Sequence, residues 1–181
     1  MRRRVLLVAG AGLLGGCLGD GTAAGTTATT STDPTATTTA GDEADAPDGV
    51  PVPDGECTVA DLPDGDYPSL PGTLDDDAAT EFAIAFEKAY ATAELETDED
   101  VRVSGFDGWD ARVMERFESG VLVAASVSVD FSEEGYGTGT MLGSTPSHGW
   151  YFVTEGYAAR APGEENPGDP PTYTWELVAC G

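Results

Sequence analysis

Residues 75–95 read DDDAATEFAIAFEKAYATAEL, and residues 121–132 read VLVAASVSVDFS. In the first stretch Ala79, Phe82, Ala83, Phe86, Tyr90 and Ala93 recur at intervals of three and four, which sets them on one face of an α-helix. Asp75, Asp76 and Asp77 stand where a helix N-terminus needs a capping acceptor and favours negative charge, with Thr73 as the rival cap. Glu81, Glu87, Lys88 and Glu94 lie off the apolar stripe, and the helix is predicted to end between Leu95 and Asp98. In the second stretch the period is two. Val121, Val123, Ala125, Val127, Val129 and Phe131 form an apolar face, and the residues between them a smaller, more polar one. This is the best strand in the chain.

Outward from these two elements the pattern stays strand-like. Val101 and Val103 start a strand that meets Gly105 and Gly108, where a bulge or corner is expected. In its continuation Ala111, Val113 and Phe117 face one way and Arg112, Met114 and Arg116 the other, before a tight turn at Ser119-Gly120. Tyr136 to Leu142 forms the next strand, Gly143 to Pro146 a break, Trp150 to Thr154 a further strand and Tyr157 to Arg160 its partner. The four prolines between Pro162 and Pro171 require a surface loop, and Thr172 to Ala179 closes the domain. Ahead of the helix, Leu62-Pro63, Tyr67-Pro68 and Leu70-Pro71 describe a lead without regular pairing, wrapped over the core by Leu62, Tyr67 and Leu70. One helix followed by successive hairpins gives an α+β class: a long helix packed on a curled antiparallel sheet of about five to six strands.

The N-terminal third is of another kind. Arg2, Arg3 and Arg4 precede an apolar run from Val5 to Leu14, then Gly15, Gly16 and Cys17. A basic start, a short apolar core and a small-residue exit form an export signal, and the run is too short to span a bilayer, which takes roughly 20 residues. Residues 21 to 40 hold ten threonines, and glycines, prolines and acids follow to Glu56. So little apolar surface cannot offset the entropy of ordering the backbone, and threonine-rich stalks of this type also accept O-linked sugars. The expected organisation is a signal peptide over 1–16, a disordered Thr-rich tether over 17–56, and a single α+β domain over 57–181.

Charge narrows the partners. No acid precedes Cys17, so the chain from Cys17 onward carries 33 acids against five bases (Lys88, Arg102, Arg112, Arg116, Arg160), a formal net charge of −28. Such a field repels nucleic acid and anionic headgroups, and it destabilises the folded state unless counterions screen it. Of three cysteines, Cys17 directly follows the signal; Cys57 and Cys180 bracket the domain and are expected to form a disulfide in an oxidising compartment.

Residues for chemistry are sparse. The lone His148 follows Ser147 in what reads as a turn, and a Gly-x-Ser-x-Gly elbow does not occur. Gly135-Tyr136-Gly137-Thr138-Gly139 lacks the spacing and the lysine of a phosphate loop. Asp98-Glu99-Asp100 and Glu133-Glu134 read as solvated turns in a chain this acidic. No metal and no cofactor are expected. The remaining candidates are aromatic: if the helix covers Trp150 and Phe152, then Tyr151, with some of Trp109, Tyr136, Tyr157 and Tyr173, lines a concave face or a cleft, the alternative being ordinary core filling for a sheet whose far side the long loops cover.

Leu14-Gly15-Gly16-Cys17 resembles a lipobox, whose cysteine becomes the lipid-bearing first residue of the mature chain, and Arg3-Arg4-Val5-Leu6-Leu7 resembles a twin-arginine export signal. The helix-and-hairpin layout of residues 62–180 resembles the cystatin or NTF2-like plan. With its Phe82, Phe86 and Tyr90 spacing and its acidity, the chain also resembles small surface lipoproteins of haloarchaea. The resemblance implies a membrane-lipid partner through Cys17, a location on the outer face of the cytoplasmic membrane, and no particular activity. The expected function is a non-enzymatic binding or structural module facing a cell-surface protein or small ligand. The alternatives are a small-ligand or cation-binding cleft and, further off, a carboxylate-based enzyme.

Overall fold

A computed structural model describes residues 46–135, 139–172 and 174–181, all within one compact unit. The signal, Cys17 and most of the tether, and Tyr136 and Tyr173, lie outside the described residues. The helix α1 runs Asp76–Leu95; the Asp75 side chain caps it by accepting from the Ala78 N–H at 2.8 Å, and Asp76 and Asp77 fill its first turn. Five strands follow: β1 (Val101–Arg116), β2 (Val121–Glu134), β3 (Thr140–Val153), β4 (Tyr157–Pro162) and β5 (Glu176–Cys180). They form one antiparallel sheet in chain order, curled and open, with α1 packed on one face.

Beneath the helix, Ala79, Phe82, Ala83 and Phe86 meet Val121, Val123, Ala125, Tyr151, Val153, Ala158 and Val178. Leu62, Tyr67 and Leu70 of the lead close over this layer, and Tyr67 stacks on Phe86 with centroids 4.8 Å apart. The lead is tied to β5 by the Ala60 N–H donating to the Leu177 carbonyl at 2.8 Å and by the Cys57–Cys180 disulfide, which joins residues 123 apart in sequence. The expected pairing of these two cysteines is present.

The opposite face of the sheet is also covered. Leu122, Ala124, Trp150, Phe152, Ala159, Ala161 and Trp175 form a second apolar layer, against which Ala46 and Val50 pack. The packed chain therefore starts well before Cys57: a few apolar residues of the segment read as tether find a sheet face that sequence periodicity could not assign to them.

Three strand readings are corrected. The break at Gly143 to Pro146 does not occur, because β3 pairs with β2 without interruption from Glu134↔Thr140 to Val121↔Val153. β4 reaches only Gly149 to Val153, so around Pro146 the far side of β3 is a sheet edge, where a missing N–H costs no ladder bond. Phe117 does not share a face with Ala111 and Val113: a register shift between Val113 and Glu115 reverses the alternation and turns Phe117 into the second layer. The closing strand starts at Glu176, four residues later than read from the pattern.

Candidate functional site

Two residues of the same face-forming rows carry charge into the core. Glu87 follows Ala83 by four residues and precedes Ala91 by four, so it projects from the same side of α1 as those buried alanines. Arg160 alternates with Ala158 on β4 and so faces the helix. Glu87 is wholly buried and Arg160 is 8% exposed. Glu87 Oε1 accepts from Ser147 Oγ at 2.6 Å and from Arg160 Nη2 at 3.0 Å; Oε2 accepts from Tyr151 Oη at 2.5 Å and from Arg160 Nε at 3.1 Å. A carboxylate offers about four lone-pair sites, and here four donors fill them. The Arg160 guanidinium sits over the Tyr90 ring, with Cζ 3.8 Å from the ring centroid. Glycine is needed at position 149, since a Cβ there would collide with Glu87 Oε2 and press on Tyr151 and Arg160.

The electrostatics follow from burial. Burial raises the Tyr151 phenol well above its ordinary value, and the negative charge of Glu87 adds to this, with Arg160 acting the other way. For Arg160, burial alone opposes the charge, but Tyr151 and Glu87 outweigh it and hold the guanidinium protonated. Because the native phenol titrates higher than an unfolded one, its contribution to stability is complete below about pH 10 and is lost as pH rises above that value. Tyr151→Phe should therefore flatten the alkaline fall in stability. At neutral pH it should cost about 1–3 kcal/mol, because Glu87 loses a donor. Urea midpoints from neutral pH to above pH 10 check both effects. An unchanged alkaline limb would mean that another group controls it.

The sequence-level candidates fall in different places. The helix covers Tyr151, not Trp150 and Phe152: Phe82 and Phe86 lie 6.5 and 5.8 Å from the Tyr151 ring, while Trp150 and Phe152 belong to the second layer. Tyr151 is fully buried, with its hydroxyl spent on Glu87. Trp109 is 56% exposed on β1, with Lys88 Nζ 3.3 Å from its ring centroid. Tyr157 packs beside Phe152 and borders an open depression near the β1–β2 turn. These three share no cleft, and Tyr136 and Tyr173 lie outside the described residues.

Ser147 and His148 are consecutive strand residues rather than a turn, so they point to opposite faces. Ser147 bonds Glu87, whereas His148 borders a cavity of about 30 Å³ with Asp110, Ser126, Glu164 and Glu165, its Nε2 buried without a partner. A Ser–His dyad is incompatible with that geometry. Among the described residues no group of three or more His, Cys, Asp or Glu side chains is placed to hold a metal ion, and no helix is long and apolar enough to cross a membrane.

The buried cluster was missed because each member has an innocuous sequence context. The signal that could have found it is a pair of matched exceptions. One is an acid between two alanines at i−4 and i+4; the other is an arginine at an inward position of an alanine strand, in a chain with five bases after Cys17. Compared with protein families, curated proteins and solved structures, the chain matches none.

Proposed function

We propose that this chain is an exported protein held by lipid on Cys17 at the outer face of the cytoplasmic membrane, and that its α+β domain is a binding or structural module rather than a catalyst. The observation that carries the reading is the Cys57–Cys180 disulfide. It fits an oxidising compartment and leaves Cys17, inside its lipobox-like stretch, as the remaining cysteine. The Glu87 cluster supports the non-catalytic part. A general acid or base must present a lone pair or proton to substrate, and the lone pairs of Glu87 are taken by Ser147, Tyr151 and Arg160.

The anchor is tested by Cys17→Ser in the native host. The variant should appear in the soluble extracellular fraction or persist as uncleaved precursor, while the wild type stays with membranes and gains lipid mass. An unmodified Cys17 inside a longer mature chain overturns the reading.

Acidity supports a high-salt setting. The segment after residue 56 holds 25 acids against five bases, a net charge of −20. Its self-repulsion is screened when the Debye length shrinks to about 3 Å at 1 M salt. Denaturation midpoints should rise steadily from dilute to molar KCl, and a flat profile would remove the halophilic element of the proposal.

A further inference from the structure

A groove of about 410 Å³ opens between the helix, the end of β4 and the start of β5, within the range of roughly 300–1,000 Å³ that small-molecule sites occupy. Tyr90, Arg160, Pro162, Thr174, Trp175 and Glu176 line it. Its chemistry is mixed in an ordered way. Trp175 is held rigidly, its indole N–H donating to the Pro171 carbonyl at 2.5 Å, and Tyr90 is fixed against the Arg160 guanidinium. The Glu87 bonds use Arg160 Nε and Nη2; Nη1 takes part in none of them. A buried guanidinium, held by its bonds to Glu87, thus borders the groove with donor capacity left over, while Thr174 and Glu176 stand exposed at its rim.

From this geometry we infer that the groove between Tyr90, Arg160 and Trp175 is a binding site for a neutral saccharide ring. Other ligand classes meet an obstacle here. An anion is repelled by Glu176 and by a domain of net charge −20, and the positive charge of Arg160 is already balanced by Glu87. A cation is drawn to the rim but meets the guanidinium inside. A purely apolar ligand strips water from Nη1, the Thr174 hydroxyl and the Glu176 carboxylate without replacing their hydrogen bonds. A sugar ring carries no charge, accepts from Nη1, donates to Glu176, and lays its C–H face on the ring and pyrrolidine surfaces of Tyr90 and Pro162. The inference deepens the binding-module reading and rests on it.

The test uses the full chain in detergent at high salt, with the disulfide intact. Glucose, galactose, N-acetylglucosamine, maltose and cellobiose are titrated while the Trp175 indole and the Thr174 and Glu176 amides are followed by NMR. At least one of these sugars should shift all three signals saturably, with a Kd on the order of 1 mM. Glu176→Gln, an exposed rim change that leaves the core intact, should weaken binding about tenfold through loss of a charge-assisted hydrogen bond. The inference is overturned if no sugar gives saturation, if Glu176→Gln and Thr174→Ala both bind as the wild type does, or if glucosamine or glucuronate binds more tightly than the neutral sugars. Failure of this kind leaves the Cys17 fractionation result untouched, so the two readings fail separately.

Discussion

Arg160→Met should destabilise the domain by about 3–5 kcal/mol, the cost of leaving a buried charge without its partner. In the native fold Glu87 is wholly enclosed, and Arg160 supplies two of the four bonds to its carboxylate. Removing the guanidinium leaves a desolvated carboxylate with only Ser147 and Tyr151 as donors, and Tyr90 loses the cation lying against its ring. Glu87→Leu in the same background should recover much of the loss, because a buried ion pair is worth little more than the apolar residues that could replace it. Recovery stays incomplete until Tyr151→Phe is added, since the phenol would otherwise be a buried hydroxyl without its acceptor. Urea unfolding of the two singles, the double and the triple variant, at one salt concentration, measures the coupling. A loss below about 1 kcal/mol for Arg160→Met would show that water reaches Glu87 and that the pair is not sealed in the core.

Opening the disulfide is expected to have an effect of similar size. Cys57→Ala with Cys180→Ala removes a bridge closing a loop of more than 120 residues, which the chain-entropy treatment values at about 5 kcal/mol. The native Cα–Cα separation of 5.8 Å lies in the ordinary range for a bridge. The loss should be uneven in space. The lead carries prolines at 63, 68 and 71, and besides the bridge it depends on the Ala60–Leu177 bond and on the packing of Leu62, Tyr67 and Leu70. Hydrogen exchange over residues 57–72 should therefore accelerate before that of β2 or α1. Leu62 also lines the groove between Tyr90, Arg160 and Trp175, so that groove should loosen with the lead, which links the bridge to the proposed ligand site. Uniform acceleration across the domain would show that the lead is no weaker than the sheet. Two alkylatable thiols in oxidised native protein would dispose of the bridge altogether.

Much of the fold was legible in the chain because local periods survive tertiary context where they are strong. The 3–4 spacing of Ala79, Phe82, Phe86 and their neighbours, with Asp75 ahead, sufficed for α1. The alternation from Val121 onward sufficed for β2, and the end positions of Cys57 and Cys180 for the bridge. Alternation also showed that Tyr151 faces away from Trp150 and Phe152. It says nothing of which face a helix will cover, because that depends on how the sheet curls after the α1–β1 connection.

What the sequence determined by itself, then, is the class of the domain, its helix, its principal strand and its covalent closure, since each rests on residues whose spacing along the chain is the physical cause. The tertiary structure alone decided the rest. It paired an acid on α1 with an arginine 73 positions later, made Gly149 obligatory beneath them, reversed the facing of Phe117 through a bulge, and brought Ala46 and Val50 onto the second face. These outcomes depend on distances between segments far apart in the chain. A buried charge is tolerable only when its partner arrives from elsewhere at hydrogen-bond range, and no local pattern encodes that arrival.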